Sequence, residues 1–322
     1  VCSSDLTGEP RGAVVPHRAV LRLVDDAWFL PGGRGFRMLH AAPLAFDAST
    51  LEIWWPLLNG GTVCCWEESA ADLVGLLERV RRDGVRGCWL TAALFHAAVD
   101  GLPELFDGLD LVLTGGDVVS PVHVRRLLDR RPDVAIVNGY GPTENTVFTA
   151  CESMVAGGIQ PGSIPIGRPI RGTEVRIVDA SERAVPPGRF GELVALGDGV
   201  GLGYLGEGGV VETRPGYFED GATGRIGYRT GDRVRWLPDG RLEFGGRSDA
   251  QVKDSGHRVE LDAIDSTIRR MDGIGDACTI VLEDRERKIV ASCVVPMPGM
   301  PSPAEKDVRE WLVTRLPAWE VP

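Results

Sequence analysis

Six residues near the start of the chain, Thr7-Gly8-Glu9-Pro10-Arg11-Gly12, have the makings of an anion-binding turn. Thr7, Gly8 and Gly12 are small enough for backbone N–H groups to converge on phosphate oxygens, and Arg11 adds a cation for charge-assisted hydrogen bonds. The G-x-x-x-x-G-K-[ST] spacing of a P-loop is absent, which removes the ordinary nucleotide-hydrolase reading. Taken alone, the stretch is equally a plain turn. A second group, Asn138-Gly139-Tyr140-Gly141-Pro142-Thr143-Glu144, directly follows an apolar run. Its glycines permit close backbone approach, Tyr140 offers a flat ring to a base, and Thr143 and Glu144 offer oxygens to a phosphate or to Mg2+. A Gly-Pro turn with a solvated glutamate is the plainer alternative. In Tyr228-Arg229-Thr230-Gly231-Asp232 the final carboxylate either takes both hydroxyls of a ribose or sits at a tight turn.

Such groups need a scaffold, and the pattern supplies one. From about residue 17 to 150, short apolar runs alternate with helical stretches. Residues 60–66, 86–94, 109–117 and 134–137 read as strands, the second and third running into turns and the last into the loop that begins at Asn138. Residues 69–84 read as an amphipathic helix ending at Gly84, and residues 120–131 as a helix with Ser120 as its cap and Pro121 in its first position. Repeated strand–helix–strand units predict a parallel α/β sheet with ligands beyond the carboxyl ends of its strands. From about 160 the texture becomes β-rich, with strands at 173–179, 191–197, 232–238 and 241–246 between Gly, Pro and Asp-Gly turns. From about 247 it becomes α+β, with helices at 260–271 and 302–316 and a strand pair within 277–295.

Bulk properties narrow the function. The chain has 322 residues, 43% hydrophobic and 25% charged, as in an ordinary globular enzyme. A net charge of −11 argues against a nucleic-acid binder that neutralises phosphates. No apolar run approaches the ~20 residues of a membrane span, and no signal peptide is evident, so a cytoplasmic location is expected. The 7 cysteines include no C-x-x-C pair and read as reduced thiols rather than a disulfide framework.

Taken together and in this order, the motifs resemble the adenylate-forming superfamily, and within it the adenylation (AMP-binding) domains of nonribosomal peptide synthetases. The resemblance is carried by TGEPRG, FDAS (46–49), LTGGD (113–117), NGYGPTE, GELVALGDGVGLGYL (191–205), YRTGD, GRSDAQVK with GHRVEL (246–261), and LPAWEVP (316–322). It implies a partial large domain over residues 7–246, α/β to about 155 and β-rich, barrel-like from about 160, then an incomplete small α+β domain over residues 247–322. The family has further sequence before the phosphate loop, and a lysine after the closing motif. The implied reaction joins an amino acid to ATP, giving an aminoacyl-adenylate and pyrophosphate, and passes the acyl group to the phosphopantetheine thiol of a carrier protein. The condensation domain of the same synthetase is a further implied partner.

The resemblance also implies roles. Thr7, Gly8, Arg11 and Gly12 would hold the β- and γ-phosphates, while Thr143 and Glu144 serve the α-phosphate and Mg2+. Tyr140 would stack on adenine, with Gly116, Asn138, Gly139 and Gly141 around it, and Asp232 and Arg247 would grip the ribose. Asp47 would bind the α-ammonium of the amino acid; a buried carboxylate lacking a cation is costly, which fits an amine there, and a helix cap is the alternative. The side-chain pocket would be lined by Ala48, Leu51, Trp89, Leu113, Gly115, Gly139, Val147 and Phe148, with Trp89 and Phe148 filling volume and the two glycines giving some back. With neither charge nor hydroxyl among them, the expected substrate is a medium aliphatic amino acid, valine first. Asp249 matches the family's hinge between its two domains.

Departures are informative. Family members typically read T-S-G-S-T-G-x-P-K-G where this chain has Asp5, Leu6 and Arg11. VCSSDL is also the translation of GTG-TGC-TCT-TCC-GAT-CT, the end of a short-read sequencing adapter, so residues 1–6 read as an adapter scar joined at Thr7. A natural loop in which Asp5 repels phosphate is the alternative. Asp254, Ser255, Ala263 and Asp265 depart from the commoner wording of the small domain. An acyl- or aryl-CoA ligase of the same superfamily and a non-catalytic remnant are the rival functions.

Overall fold

A computed structural model of the chain describes residues 2–4, 10–67, 70–159, 163–206, 209, 211–213, 216–221, 223–247, 251–254, 257–284, 287–297, 299–316 and 321–322. Thr7, Gly8 and Asp249 lie outside the described residues, as do Asp5 and Leu6. Residues 1–2 and 12–248 form one compact unit, and residues 3–11 and 249–322 a second.

The first unit opens, after strands β1 (Cys2–Ser4) and β2 (Pro10–Val14), with helices and strands in alternation. These are α1 (His17–Val24), β3 (Arg37–His40), α2 (Ala48–Leu58), β4 (Thr62–Cys65), α3 (Leu73–Asp83), β5 (Gly87–Thr91), α4 (Ala92–Gly101), β6 (Leu111–Gly115), α5 (Pro121–Arg130), β7 (Ala135–Tyr140), β8 (Ala150–Met154) and β9 (Arg168–Pro169). They build one sheet in the order β4-β3-β5-β6-β7-β8-β9. The first five strands in that order run parallel, whereas β8 and β9 run antiparallel to their neighbours, so the predicted parallel sheet is in fact mixed.

Strand alternation sorts the core into two layers. Cys88, Leu90, Val112 and Ile136 turn to one face and pack with Leu76 and Val80 of α3, Phe95 and Ala98 of α4, and Val124 and Leu127 of α5. Trp89, Leu111, Leu113 and Val137 turn to the other, against Leu23 and Val24 of α1 and Leu51 and Trp55 of α2. Strands buried on both faces read as continuous apolar runs, which is why they were visible in the sequence.

Local chemistry explains where expected boundaries moved. α3 starts at Leu73 rather than near residue 69 because Asp72 caps it, accepting from Gly75 N at 3.0 Å, and Gly84 ends it with φ 58°. Residues 92–101 continue as α4 where a turn was expected, capped by Thr91. Ser120 makes no side-chain cap; its backbone N–H donates instead to His96 Nε2 at 2.9 Å.

The rest of the unit is antiparallel. It comprises β10 (Thr173–Val178), β11 (Gly191–Gly197), β12 (Gly203–Leu205), β13 (Val211–Glu212), β14 (Tyr217–Glu219), β15 (Ile226–Trp236) and β16 (Leu242–Arg247). β10, β11, β15 and β14 form a sheet, with β16 also on β15. β12 pairs with β13 and, through Tyr204 and Gly203, with Ala13 and Val14 of β2. Asp232 lies inside β15, at a shift in register, and not at a tight turn.

In the second unit, β17 (Gln251–Asp254) and β18 (His257–Glu260) form a hairpin ahead of α6 (Leu261–Arg269). A longer hairpin, β19 (Ile274–Asp284) and β20 (Arg287–Pro296), and α7 (Glu305–Val313) follow. Ile264, Ile268, Ile274, Ala277, Leu312 and Leu316 make its core. No helix among the described residues is long and apolar enough to cross a membrane.

Candidate active site

Asp47 stands at the N-cap position of α2 yet makes no cap bond. Its Oδ2 accepts instead from the Thr143 hydroxyl at 2.9 Å, joining two motifs 96 positions apart. Glu144, the next residue, is fully buried. Its Oε1 accepts from the Tyr204 hydroxyl, and its backbone carbonyl accepts from Gly201 N at 2.8 Å. Burial, with the Glu144 carboxylate as the next cause, pushes the Tyr204 phenol upward, so it stays protonated and donating.

Asp232 is 2% exposed. Arg247, its register partner on β16, donates to Oδ1 at 2.7 Å, and Tyr140 donates to Oδ2 at 2.5 Å. Burial first, then the Asp232 charge, raises the Tyr140 phenol well above its usual range. Tyr140 and Arg247, expected at the base and the ribose, therefore meet on the one carboxylate of Asp232. Tyr140 is itself 7% exposed and packs with Ala150, Ile166, Leu193 and Leu242. Asn138, in β7 rather than in a loop, is buried and donates to Pro165 O at 3.1 Å. Gly116 turns the chain after β6 with φ 80°. Gly12 lies beside Leu205.

Ala48, Leu51, Trp89, Leu113, Val147 and Phe148 belong to one buried cluster, with Phe46 packed against it and its ring 5.6 Å from that of Trp89. The glycines differ from expectation. A Cβ on Gly139 would fall 2.2 Å from the Phe148 ring, and one on Gly115 would fall 2.1 Å from the Gly139 carbonyl oxygen. The room these glycines leave is thus taken by Phe148 and by backbone rather than given back to a ligand. The wall also holds a donor: the buried Trp89 Nε1 has no hydrogen-bond partner among the described residues.

Sequence reasoning missed three features. Arg22 of α1, 8% exposed, donates to the carbonyls of Asn145 and Thr146 at 2.9 and 3.0 Å and to the Thr173 hydroxyl. Thr146 and Val147 are left-handed, with φ 54° and 64°, a costly conformation for β-branched residues. Arg22 holds that turn, and burial pushes its guanidinium down to about 10. Second, Tyr204, Tyr217 and Tyr228 run ring to ring at 5.7 and 5.0 Å, extending from Glu144. The 4 tyrosines of the chain all follow glycine, a signal that was available in the sequence. Third, buried Glu52 accepts from the backbone N–H of Ala41 and Ala42 at 3.1 and 3.0 Å, with His40 Nδ1 at 2.8 Å, fastening the segment that leads to Asp47.

Known proteins are similar to this chain in sequence and in fold. The AMP-binding enzyme family matches residues 4–205. A linear gramicidin synthase of Brevibacillus parabrevis is 38% identical over 326 residues, covering 100% of this chain but 4% of the synthase. Tyrocidine synthase 3 of the same organism is 35% identical over 99% of the chain and 5% of its own length. A solved nonribosomal peptide synthetase protein with adenylation and PCP domains, bound to a vinylsulfonamide inhibitor, superposes with a TM-score of 0.87 at 38% identity, over 100% of this chain and 55% of that one. The chain therefore spans a small part of the curated relatives it matches.

Proposed function

The chain belongs to the AMP-binding enzyme family, and from that premise we propose that it activates an amino acid for nonribosomal peptide synthesis. A carboxylate oxygen of the amino acid attacks the α-phosphorus of ATP, the bond to the β-phosphate oxygen breaks, and pyrophosphate leaves. The thiol of a carrier protein's phosphopantetheine then attacks the acyl carbonyl, loses its proton, and AMP departs. The observation that carries this reading is Asp47: it does not cap its helix, and Thr143 ties it directly to the Glu144 end of the nucleotide motif. An α-ammonium bound at Asp47 would place the adjoining carboxylate next to Thr143.

In this reading Asp232 and Arg247 orient the ribose, Tyr140 meets the base, and Gly116, Asn138, Gly139 and Gly141 shape that edge. Arg11 and Gly12, with Thr7 and Gly8, serve the terminal phosphates, and Asp249 is the hinge of the small domain. The donor set suits Mg2+. Glu144 supplies a hard carboxylate oxygen, and among the described residues no group of three or more His, Cys, Asp or Glu forms a protein cage. Mg2+ commonly binds through one or two carboxylates and substrate phosphates, and when bound it neutralises charge on the phosphates.

The apolar cluster of Ala48, Leu51, Leu113, Val147 and Phe148 supports a medium aliphatic side chain, valine first. Leucine and isoleucine differ by one methylene, worth only about 1–3 kcal/mol. Carrier and condensation domains are the proposed partners. Amino-acid-dependent ATP–pyrophosphate exchange across a panel of amino acids tests the reading; exchange with valine supports it, and dependence on a non-amino carboxylic acid would favour a CoA ligase.

A further inference from the structure

Cys278 and Cys293 face each other directly across β19 and β20. Both are free and exposed. Directly opposed residues in an antiparallel pair have Cα atoms about 4.5 or 5.5 Å apart, depending on the hydrogen-bonding type. Both distances lie inside the ~4.4–6.8 Å that a disulfide spans.

The register that opposes them is well determined. The next pair inward, Thr279 and Ser292, shares a hydroxyl–hydroxyl hydrogen bond at 2.7 Å. The preceding pair sets buried Ala277 opposite Val294, both packed into the core of the unit. Arg269 of α6 donates to Ala277 O at 2.6 Å and to Asp276 Oδ1 at 2.7 Å, fastening the strand just before Cys278. A slip of one residue would carry the cysteines to the helix-packed face and expose the core.

The other described cysteines lack this arrangement. Burial pushes Cys88 up to about 12 and Cys151 well above its usual value, which withholds their thiolates. Cys65 is exposed, but adjacent Cys64 is buried on the other face of its strand.

We propose that Cys278 and Cys293 form a dithiol site that a low-molecular-weight disulfide oxidises to a cross-strand bridge. One cysteine thiolate attacks a sulfur of the reagent R–S–S–R; that S–S bond breaks and one R–S⁻ leaves. The second thiolate attacks the protein sulfur of the mixed disulfide, forming the Sγ–Sγ bond and releasing the second R–S⁻. Two electrons pass to the reagent, and the two thiol protons end on two R–SH.

The test uses the fully reduced chain, oxidised glutathione as the reagent, alkylation of remaining thiols, and peptide mapping. The expected product joins the peptides of Cys278 and Cys293 within one molecule, with the loss of two hydrogens and of two alkylatable thiols. C278S and C293S, conservative changes at exposed positions, should each stop at a single glutathionyl group on the remaining cysteine. Persistence of both thiols in the unmutated chain, stable glutathionyl groups on both, or a bridge between two molecules would overturn the proposal.

Discussion

The hydroxyl of Tyr140 and the carboxylate of Asp232, 92 positions apart, meet at 2.5 Å. With Arg247 on the other oxygen, the carboxylate is buried with a donor at each side. Asp232→Asn leaves the Arg247 guanidinium, itself 12% exposed, beside a neutral amide. Breaking a buried pair in this way costs about 3–5 kcal/mol, and Tyr140→Phe, which removes one hydrogen bond to a charged acceptor, about 1.5–3 kcal/mol. Denaturant midpoints of the two variants check the order; an Asp232→Asn variant as stable as the parent would contradict it.

Arg22 is expected to matter to catalysis without touching substrate. Arg22→Met strands the carbonyls of Asn145 and Thr146 above a left-handed turn, with an expected loss of about 3 kcal/mol. Arg22→Lys, able to reach one carbonyl but not both, should recover part of it. If Arg22 positions Glu144 through this turn, exchange activity in Arg22→Lys falls more in kcat than in the KM for amino acid. Equal stability of Arg22→Met and the parent would mean that Arg22 does not hold this turn.

Gly139→Ala drives a methyl group into the Phe148 ring. Overpacking of this kind costs roughly 1–3 kcal/mol. Pairing it with Phe148→Leu should recover stability, because the two sites share one space and their effects will not add. Thermal melts of the two single variants and the double variant decide; strictly additive losses would mean the ring does not rest there.

Much of this was legible in the sequence. β5, β6 and β7 were visible because strands buried on both faces are apolar throughout, Asp47 and Asp232 stood out as carboxylates beside Phe46 and Gly231, and Glu144 as the carboxylate closing a glycine-rich motif. The contacts between them were not. Thr143 and Asp47 lie on segments 96 residues apart, and nothing local encodes their meeting. Arg22 was not singled out in the sequence, since its buried role depends on a turn more than 120 positions away. The two antiparallel strands β8 and β9 escaped because pairing direction leaves little mark in composition.

Glu52 gives a pH dependence with a definite sign. Burial raises its carboxyl above the ordinary 4.5, outweighing the bonds from His40, Ala42 and Ala41 that lower it. A raised carboxyl favours folding below the unfolded value and loses that contribution as pH climbs through the folded one. The stability difference between the parent and Glu52→Gln should therefore shift against the parent as pH rises from about 4.5. Urea titrations of both proteins across that range measure it; a flat difference, or one rising with pH, would contradict the sign.

On the proposed reading, Asp47 receives the ammonium group of an amino acid at the end of an adenylating site. The most direct measurement is amino-acid-dependent ATP–pyrophosphate exchange by the full-length polypeptide, with and without Asp47→Asn. The expected result is exchange with valine, weaker exchange with isoleucine and leucine, and a loss of at least about 100-fold in kcat/KM in Asp47→Asn, or about 2.7 kcal/mol. Unchanged valine-dependent exchange in a folded Asp47→Asn protein would contradict it.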